Sequence, residues 1–484
     1  MSAVGPRPPG LSFGRDLPRN TPRLDVQSPP ASSSGPRPLL AAFALAAAAL
    51  LGGCSGAALP DPQVSRAQKW LDRATSDLKN ADFDEARDSV GRALTVSPDD
   101  LAARTLGAQL ALSSLDYAET LRLLKDVRGS TAAGLRGRAL WYKGELDAAA
   151  DELDAMLADP EMKDPWAKSI AKLARRGAGR TPFVLSGAML AAVDMVHVSP
   201  VAPYFVIPIE IDGESALAAI ATGSAEVVLD SATRPEPSWV SLRFGQKLEV
   251  HDVPALAQDL SGVSKEIGAP IKALLGVNLL RHLNVTVDYE GRQFVARTYN
   301  PPPPPNATRL NLHYVRGGGM VLRSNFGGEK GPRAALMVDT SRPFPIALDK
   351  EGWKKAGQSI ESLKLVAGDP EQKLREGIVP LMRLGAFDVP RVLGVYGVPI
   401  GDLENLMALD IDGVVGAGLL YQFRCTFGDE GRVLWIEDDT AVQAMLGGPG
   451  AAPPPAPLNE REAPPPPPPA KVDPTPGPAA PPPR

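Results

Sequence analysis

Two stretches of this 484-residue chain carry the same pattern written twice, and that repetition narrows the fold more than any single motif. Leu279-Leu280 through Glu290-Gly291-Arg292 aligns without gaps to Leu419-Leu420 through Glu430-Gly431-Arg432. Gly276 then stands opposite Gly416, and Thr286 opposite Thr426. Each block reads as a short helix opened by a glycine and followed by a closing β-hairpin. The upstream halves match as well. Tyr204 to Ile211 is an apolar strand, Asp212-Gly213-Glu214 a turn and Ala216 to Ile220 a second strand. The loop Ala221-Thr222-Gly223-Ser224-Ala225 then leads into a third, Glu226 to Leu229. The same order recurs in Gly319 to Asn325, the turn at Gly327-Gly328, Ala334 to Val338, the loop Asp339-Thr340-Ser341 and the strand Phe344 to Leu348. Self-similarity of this kind marks a duplicated structural unit.

This strand–turn–strand–loop–strand order resembles the start of a lobe in the retropepsin-like aspartic proteases. In that family the loop reads Asp-Thr/Ser-Gly and its Asp is catalytic. The resemblance implies two β-barrel lobes packed as a pseudo-dimer. Asp339, with Thr340 and Ser341 in its loop, becomes the single candidate catalytic residue, and Ala221-Thr222-Gly223 the degenerate counterpart. Aspartic proteases hold two carboxylates so close that both cannot ionise, and the pair shares one proton. One member activates water as general base while the other donates to the substrate carbonyl. Ala221 has no proton to give or take. Ser341 replaces the Gly that the family uses where two loops approach closely, so a side chain there is expected to crowd them. The helix-opening signature is near the family's Gly-x-Asn/Asp form in Gly276-Val277-Asn278, but Gly416-Ala417-Gly418 lacks the polar residue. No other Asp is placed to face Asp339. Asp230 lies past a strand, Asp212 sits in an Asp-Gly hairpin turn, and Asp288 belongs to the closing hairpin.

Residues 60–176 read as helical and repetitive. Trp70, Ala74, Phe83, Ala86, Ala93 and Pro98 fall on the spacing of a tetratricopeptide (TPR) repeat, where small residues let two helices pack closely. A second repeat runs from about Leu101 with Ala108 and Tyr117, and a third has Gly137, Leu146, Ala149 and Pro160. The second lacks the terminal Pro, so the array is divergent, and three repeats are near the minimum for a stacked core. A capping helix from Pro165 to Ala174 is expected, with Asp164 as N-cap, Pro165 at its first position and Trp166 buried. Lys69, Arg73, Lys79, Arg87 and Arg92 are expected to form a solvated face.

Length and composition bound the rest. Charged residues are 22% and hydrophobic ones 44%, so the bulk is globular, and the net charge is −5. There is no basic patch with interleaved aromatics, which argues against nucleic acid as a partner. Two Cys and four scattered His give neither a disulfide framework nor metal-ligand spacing, and no cofactor is implied. Leu39 to Leu51 is apolar, preceded by Arg37, and too short to span a bilayer. It ends in Leu51-Gly52-Gly53-Cys54, which resembles the bacterial lipobox, where cleavage precedes a lipidated Cys. Ser55 follows, not the Asp associated with inner-membrane retention, so the resemblance implies an outer-membrane lipoprotein facing the periplasm or the surface. The segment before that run is long and Pro-rich, and a translation start near Val26 is an open alternative. Pro301 to Pro305 should be a stiff linker, and the Pro- and Ala-rich tail cannot bury a core.

The sequence therefore describes a multidomain chain, α followed by all-β: a TPR-like α-solenoid, then two retropepsin-like barrels packed as a pseudo-dimer. Its parts are a signal peptide with an N-terminal extension (1–54), helical repeats (60–176), lobe 1 (190–299), a linker (300–308), lobe 2 (309–440) and a tail (447–484). Two function classes fit. One is a membrane-anchored interaction protein that binds proteins or peptides through its TPR array and its protease-like cleft, which can hold an extended peptide by strand pairing. The other is an active aspartic endopeptidase in which two copies of the Asp339 loop meet in a homodimer.

Overall fold

The computed structural model describes residues 62–438, apart from 200, 201, 317, 368, 370 and 371. Cys54 and the tail from 447 lie outside the described residues. The N-terminal region is seven helices: α1 (Pro62–Lys79), α2 (Phe83–Val96), α3 (Leu101–Ser113), α4 (Tyr117–Leu123), α5 (Ser130–Lys143), α6 (Leu146–Leu157) and α7 (Pro165–Arg176). They stack as three antiparallel pairs and a closing helix. Aspartates set several starts. Asp100, Asp116 and Asp164 each accept a backbone N–H three residues on, from Ala103 (2.8 Å), Glu119 (2.9 Å) and Ala167 (3.0 Å). Ala74, Ala86, Ala93, Ala108 and Ala149 are buried between helices, where only a small side chain permits the approach. Two expectations shift. Trp166 is half-buried, because it lies at the seam with lobe 1 under the Arg138 guanidinium, 4.0 Å from its ring centre. Lys79 is exposed like the other four basic residues, yet it reaches Asp410 of lobe 2 at 3.7 Å.

Lobe 1 contains β1 (Val184–Gly187), β2 (Leu190–Asp194), β3 (Val206–Ile211), β4 (Glu214–Ile220), β5 (Val227–Asp230), β6 (Ser238–Phe244), β7 (Leu248–Gln258), α8 (Ser261–Ile267), β8 (Ile271–Leu275), α9 (Val277–His282), β9 (Thr286–Asp288) and β10 (Gln293–Arg297). Six strands close into a mixed barrel in the order β7-β5-β8-β4-β3-β6 and back to β7, with β1 added outside β7. Lobe 2 contains β11 (Thr308–Asn311), β12 (His313–Tyr314), β13 (Met320–Phe326), β14 (Arg333–Asp339), β15 (Ile346–Leu348), α10 (Lys350–Lys355), β16 (Lys364–Leu365), β17 (Arg375–Leu384), β18 (Phe387–Tyr396), α11 (Ile400–Met407), β19 (Gly413–Gly416), α12 (Ala417–Leu420), β20 (Phe423–Gly428) and β21 (Val433–Asp438). Its closed barrel runs β18-β15-β19-β14-β13-β17 and back to β18. The match is strand for strand. The parallel pairs β4–β8 and β5–β7 in lobe 1 answer to β14–β19 and β15–β18 in lobe 2. The lobes differ where lobe 2 inserts α10 and β16 into the connection between β15 and β17; lobe 1 joins β5 to β6 with residues 231–237 alone.

The two closing hairpins merge into one six-stranded sheet, β2-β10-β9-β20-β21-β11, which reads the same from either end. Its centre is the antiparallel β9–β20 pair, where Thr286 faces Thr426 and the two hydroxyls meet at 2.8 Å. A pseudo-twofold axis passes through that contact. Apolar burial holds the barrels. Phe244, Phe294, Phe326 and Trp353 are essentially removed from solvent, and each such side chain contributes about 1.5–3 kcal/mol. The helical array sits on the lobes through the α1–α2 turn at one end and the closing helix at the other. Phe83 stacks on His313 with ring centres 4.2 Å apart, Arg323 pairs with Asp82 at 2.5 Å, and Trp239 of β6 donates its indole N–H to the Leu173 carbonyl at 3.0 Å. Among the described residues no helix is long and apolar enough to cross a membrane.

Candidate functional site

Strands β4 and β14 end at the junction of the lobes, and the loops Ala221-Thr222-Gly223 and Asp339-Thr340-Ser341 leave them face to face. Four hydrogen bonds fix the pairing. The Thr222 N–H donates to Thr340 Oγ1 (3.1 Å) and the Thr340 N–H to Thr222 Oγ1 (3.0 Å). Each hydroxyl then donates across the axis to the carbonyl two residues before the other threonine. Thr222 Oγ1 reaches Val338 (3.1 Å) and Thr340 Oγ1 reaches Ile220 (2.7 Å). Both threonines are buried, so these backbone groups have no water to turn to. The exchange has twofold symmetry although the flanking residues do not.

Asp339 is 7% exposed. Its Oδ1 accepts from the Ser341 N–H at 3.0 Å and the Ser341 hydroxyl at 2.6 Å, and its Oδ2 from Arg342 Nε at 3.3 Å. The carboxylate is thus held by two neighbours in its own loop. Across the axis Ala221 offers a methyl. Ser341 does not crowd the loops in the way the sequence led us to expect. Its hydroxyl folds back onto Asp339. Gly223, the equivalent residue of lobe 1, lies directly against that carboxylate, and a Cβ there would stand 2.6 Å from Asp339 Cγ. The axis maps Asp339–Gly223 onto Ala221–Ser341. By that symmetry the residue opposite 341 is Ala221, whose methyl is small.

The other carboxylates considered from the sequence are engaged elsewhere. Asp230 pairs with Lys272 at 2.8 Å, Asp212 with Arg234 at 2.7 Å, and Asp288 accepts the Gly291 N–H at 2.7 Å. Asn278 accepts from Arg281 Nε at 3.2 Å. Its counterpart Gly418 has no room for a side chain, since a Cβ would lie 2.5 Å from the Pro343 carbonyl oxygen. Among the described residues no group of three or more His, Cys, Asp or Glu is placed to hold a metal ion.

Two residues near the loops escaped the sequence reading. Arg342 is one; its signal was a charge directly after the Asp339 loop, where lobe 1 has Ser224. Glu226 is the other, a charged residue opening an otherwise apolar strand. It is 3% exposed and accepts the Trp141 indole N–H from α5 at 3.3 Å. Burial raises its carboxyl above the ordinary range, opposed by Asn278, Trp141, Trp166 and the Arg281 guanidinium. Chemically, the site offers one hydrogen-bonded carboxylate beside a guanidinium, with no second carboxylate to share a proton.

No family model matches the sequence, and no curated protein does. Solved structures similar to parts of the chain include the following two. A retropepsin-like aspartic protease from Rickettsia conorii is 21% identical over 28% of this chain and 95% of its own, with a TM-score of 0.21. The TPR domain of Arabidopsis OM64 is 15% identical over 24% of this chain and 98% of its own, with a TM-score of 0.22.

Proposed function

We propose that this chain is a non-catalytic, protease-derived binding protein that takes up polypeptide segments in the cleft over the Asp339 loop and on the remaining faces of its helical array. The single observation that supports this reading is the pairing across the pseudo-twofold. Asp339 faces Gly223, Ala221 stands where a second carboxylate is needed, and the Asp339 carboxylate is engaged by Ser341 and Arg342. Without proton sharing, one carboxylate lacks the acid–base division of labour that peptide hydrolysis needs. A homodimer built on two Asp339 loops would have to displace lobe 1 from the Thr222–Thr340 exchange and from the shared sheet. We place the protein at a membrane surface through lipid on Cys54, on the strength of Leu51-Gly52-Gly53-Cys54.

The deciding experiment is a peptidase assay on the full chain and its Asp339→Ala variant over about pH 3–7, the range in which such dyads work. The expected result is no cleavage by either, with peptide binding retained. Cleavage abolished by Asp339→Ala, at a rate per chain that rises with protein concentration, makes the protein an enzyme and the homodimer its form. For the anchor, Cys54→Ala is expected to move the protein from the membrane to the soluble fraction, and an unchanged membrane fraction rejects it.

A further inference from the structure

A cavity of about 370 Å³ opens where α2 meets lobe 2, walled by β11, β13 and β17, on residues that take no part in the paired loops. Its size is within the range of small-ligand sites, but its wall is unusual for one. Four arginines line it, Arg309, Arg323, Arg333 and Arg383, against two carboxylates, Asp84 and Glu329. Leu310 is the one apolar side chain of any size on the wall.

Each guanidinium carries five N–H donors in a fixed fork. Arg323 uses its fork well, on Asp82 and on the carbonyls of Asn80 and Ala81 (both 3.3 Å). Arg333 makes one hydrogen bond, to Glu85 at 2.6 Å, and Arg383 one, to Asp388 at 3.0 Å. Arg309 is exposed, and its side chain has no hydrogen bond or ion pair among the described residues. Among the described residues, most donors on three of the four guanidinium groups therefore have no partner around one shared space. The charges around the space balance but are unevenly placed. Asp82, Glu85 and Asp388 answer Arg323, Arg333 and Arg383 from outside the wall, and Asp84 turns to Arg87 at 3.3 Å. Glu329 is the carboxylate left on the wall beside Arg309, whose side chain has no ion pair among the described residues. His313 adds no charge at neutral pH, because burial brings its ring down to about 4. An anion placed among these guanidinium groups would fill the open forks with charge-assisted hydrogen bonds.

We propose that this cavity binds a small polyanion through Arg309, Arg333 and Arg383, with the ligand's charge carried on carboxylate or phosphate groups. Arginine suits both, since its planar fork matches either group in two-point contact.

Calorimetric titration of the full chain with citrate and with inorganic pyrophosphate, at matched ionic strength, tests this. One ligand per chain is expected, with a Kd below about 1 mM that weakens as salt is raised. The better of the two probes identifies carboxylate or phosphate as the chemistry. Arg309→Ala should weaken binding at least about tenfold while leaving the unliganded melting temperature unchanged, because this side chain is exposed and unpaired. Arg309→Lys keeps the charge but loses the fork, and should fall between the two. The proposal is overturned if neither probe saturates, or if Arg309→Ala and Arg383→Ala both bind as the wild type does.

Discussion

Lobe 1 and lobe 2 share a barrel order, a closing hairpin and a threonine exchange, yet the residues beside each threonine are exchanged in kind. Lobe 2 puts a carboxylate before Thr340 and a hydroxymethyl after it. Lobe 1 puts a methyl before Thr222 and a bare Cα after it. Because the loops interlock, the residue before one threonine faces the residue after the other. A large group on one side therefore requires a small one opposite; Asp339–Gly223 satisfies that condition, and by the pseudo-twofold Ala221–Ser341 is its mirror. On the proposed reading, Ala at 221 and Ser at 341 are then one change, not two. The scaffold bonds that hold the loops together do not depend on it, which explains how the symmetric fold persists with an asymmetric site.

The comparison breaks most severely if the threonine exchange is removed. Thr340→Val deletes the acceptor for the Thr222 N–H and the donor to the Ile220 carbonyl, both buried. A loss of roughly 2–4 kcal/mol is expected from two unmatched groups. Thr222→Val should cost about the same, and the double variant less than the sum, because the two residues share their bonds. Urea unfolding midpoints measure all three; unequal single losses would mean that the exchange is not symmetric in energy.

Next in size is the steric half of the argument. Gly223→Ser copies lobe 2 into lobe 1 and drives a Cβ into the Asp339 carboxylate, an overpacking loss of about 1–3 kcal/mol. Adding Asp339→Ala should recover most of it. If Gly223→Ser costs nothing, or Asp339→Ala fails to rescue it, the proposed coupling of the two positions is wrong.

The reverse substitution sharpens the functional side. Ala221→Asp alone meets the Ser341 side chain and should destabilise by about 1–3 kcal/mol, whereas Ala221→Asp with Ser341→Gly should fold well. In that double variant two carboxylates face each other, and one proton is held above the ordinary Asp value of about 3.9. A group whose folded pKa is raised stabilises the protein below its unfolded pKa, and that contribution is lost as pH rises through the folded value. The double variant should therefore lose stability relative to the wild type between about pH 4 and the raised value, and any weak peptidase activity should appear in that acidic range.

The smallest effect concerns Glu226, whose counterpart in lobe 2 is the buried Phe344. Burial raises the Glu226 carboxyl despite Asn278, the two indoles and Arg281 nearby. By the same sign rule its contribution is present below about pH 4.3 and is lost as pH rises through the folded value. Glu226→Gln removes that titration, so the variant should gain on the wild type as pH rises from 4 to 8. Urea midpoints of both proteins at matched pH isolate the group, since all other titrations cancel. A wild type that instead gains on the variant with rising pH would show the carboxylate to be better satisfied than its burial implies.

The sequence by itself determined the duplicated strand order, the ungapped closing hairpins, the helical pairs, the Asp164 cap of the closing helix and the equivalence of the two threonine loops. These are local or repeated patterns, legible because apolar periodicity and turn residues act within a few residues of one another. It also exposed the absent carboxylate at Ala221. It did not reveal that Ser341 and Arg342 engage Asp339, that Glu226 is buried under Trp141 of α5, that Trp166 sits at a seam or that four arginines surround one space. Each of these depends on which surfaces the barrels and the array present to one another. Trp141 and Glu226 are 85 residues apart in the chain, and no propensity or spacing rule acts over that separation. Packing alone brings such groups together, so only the tertiary structure decided what the two loops contact.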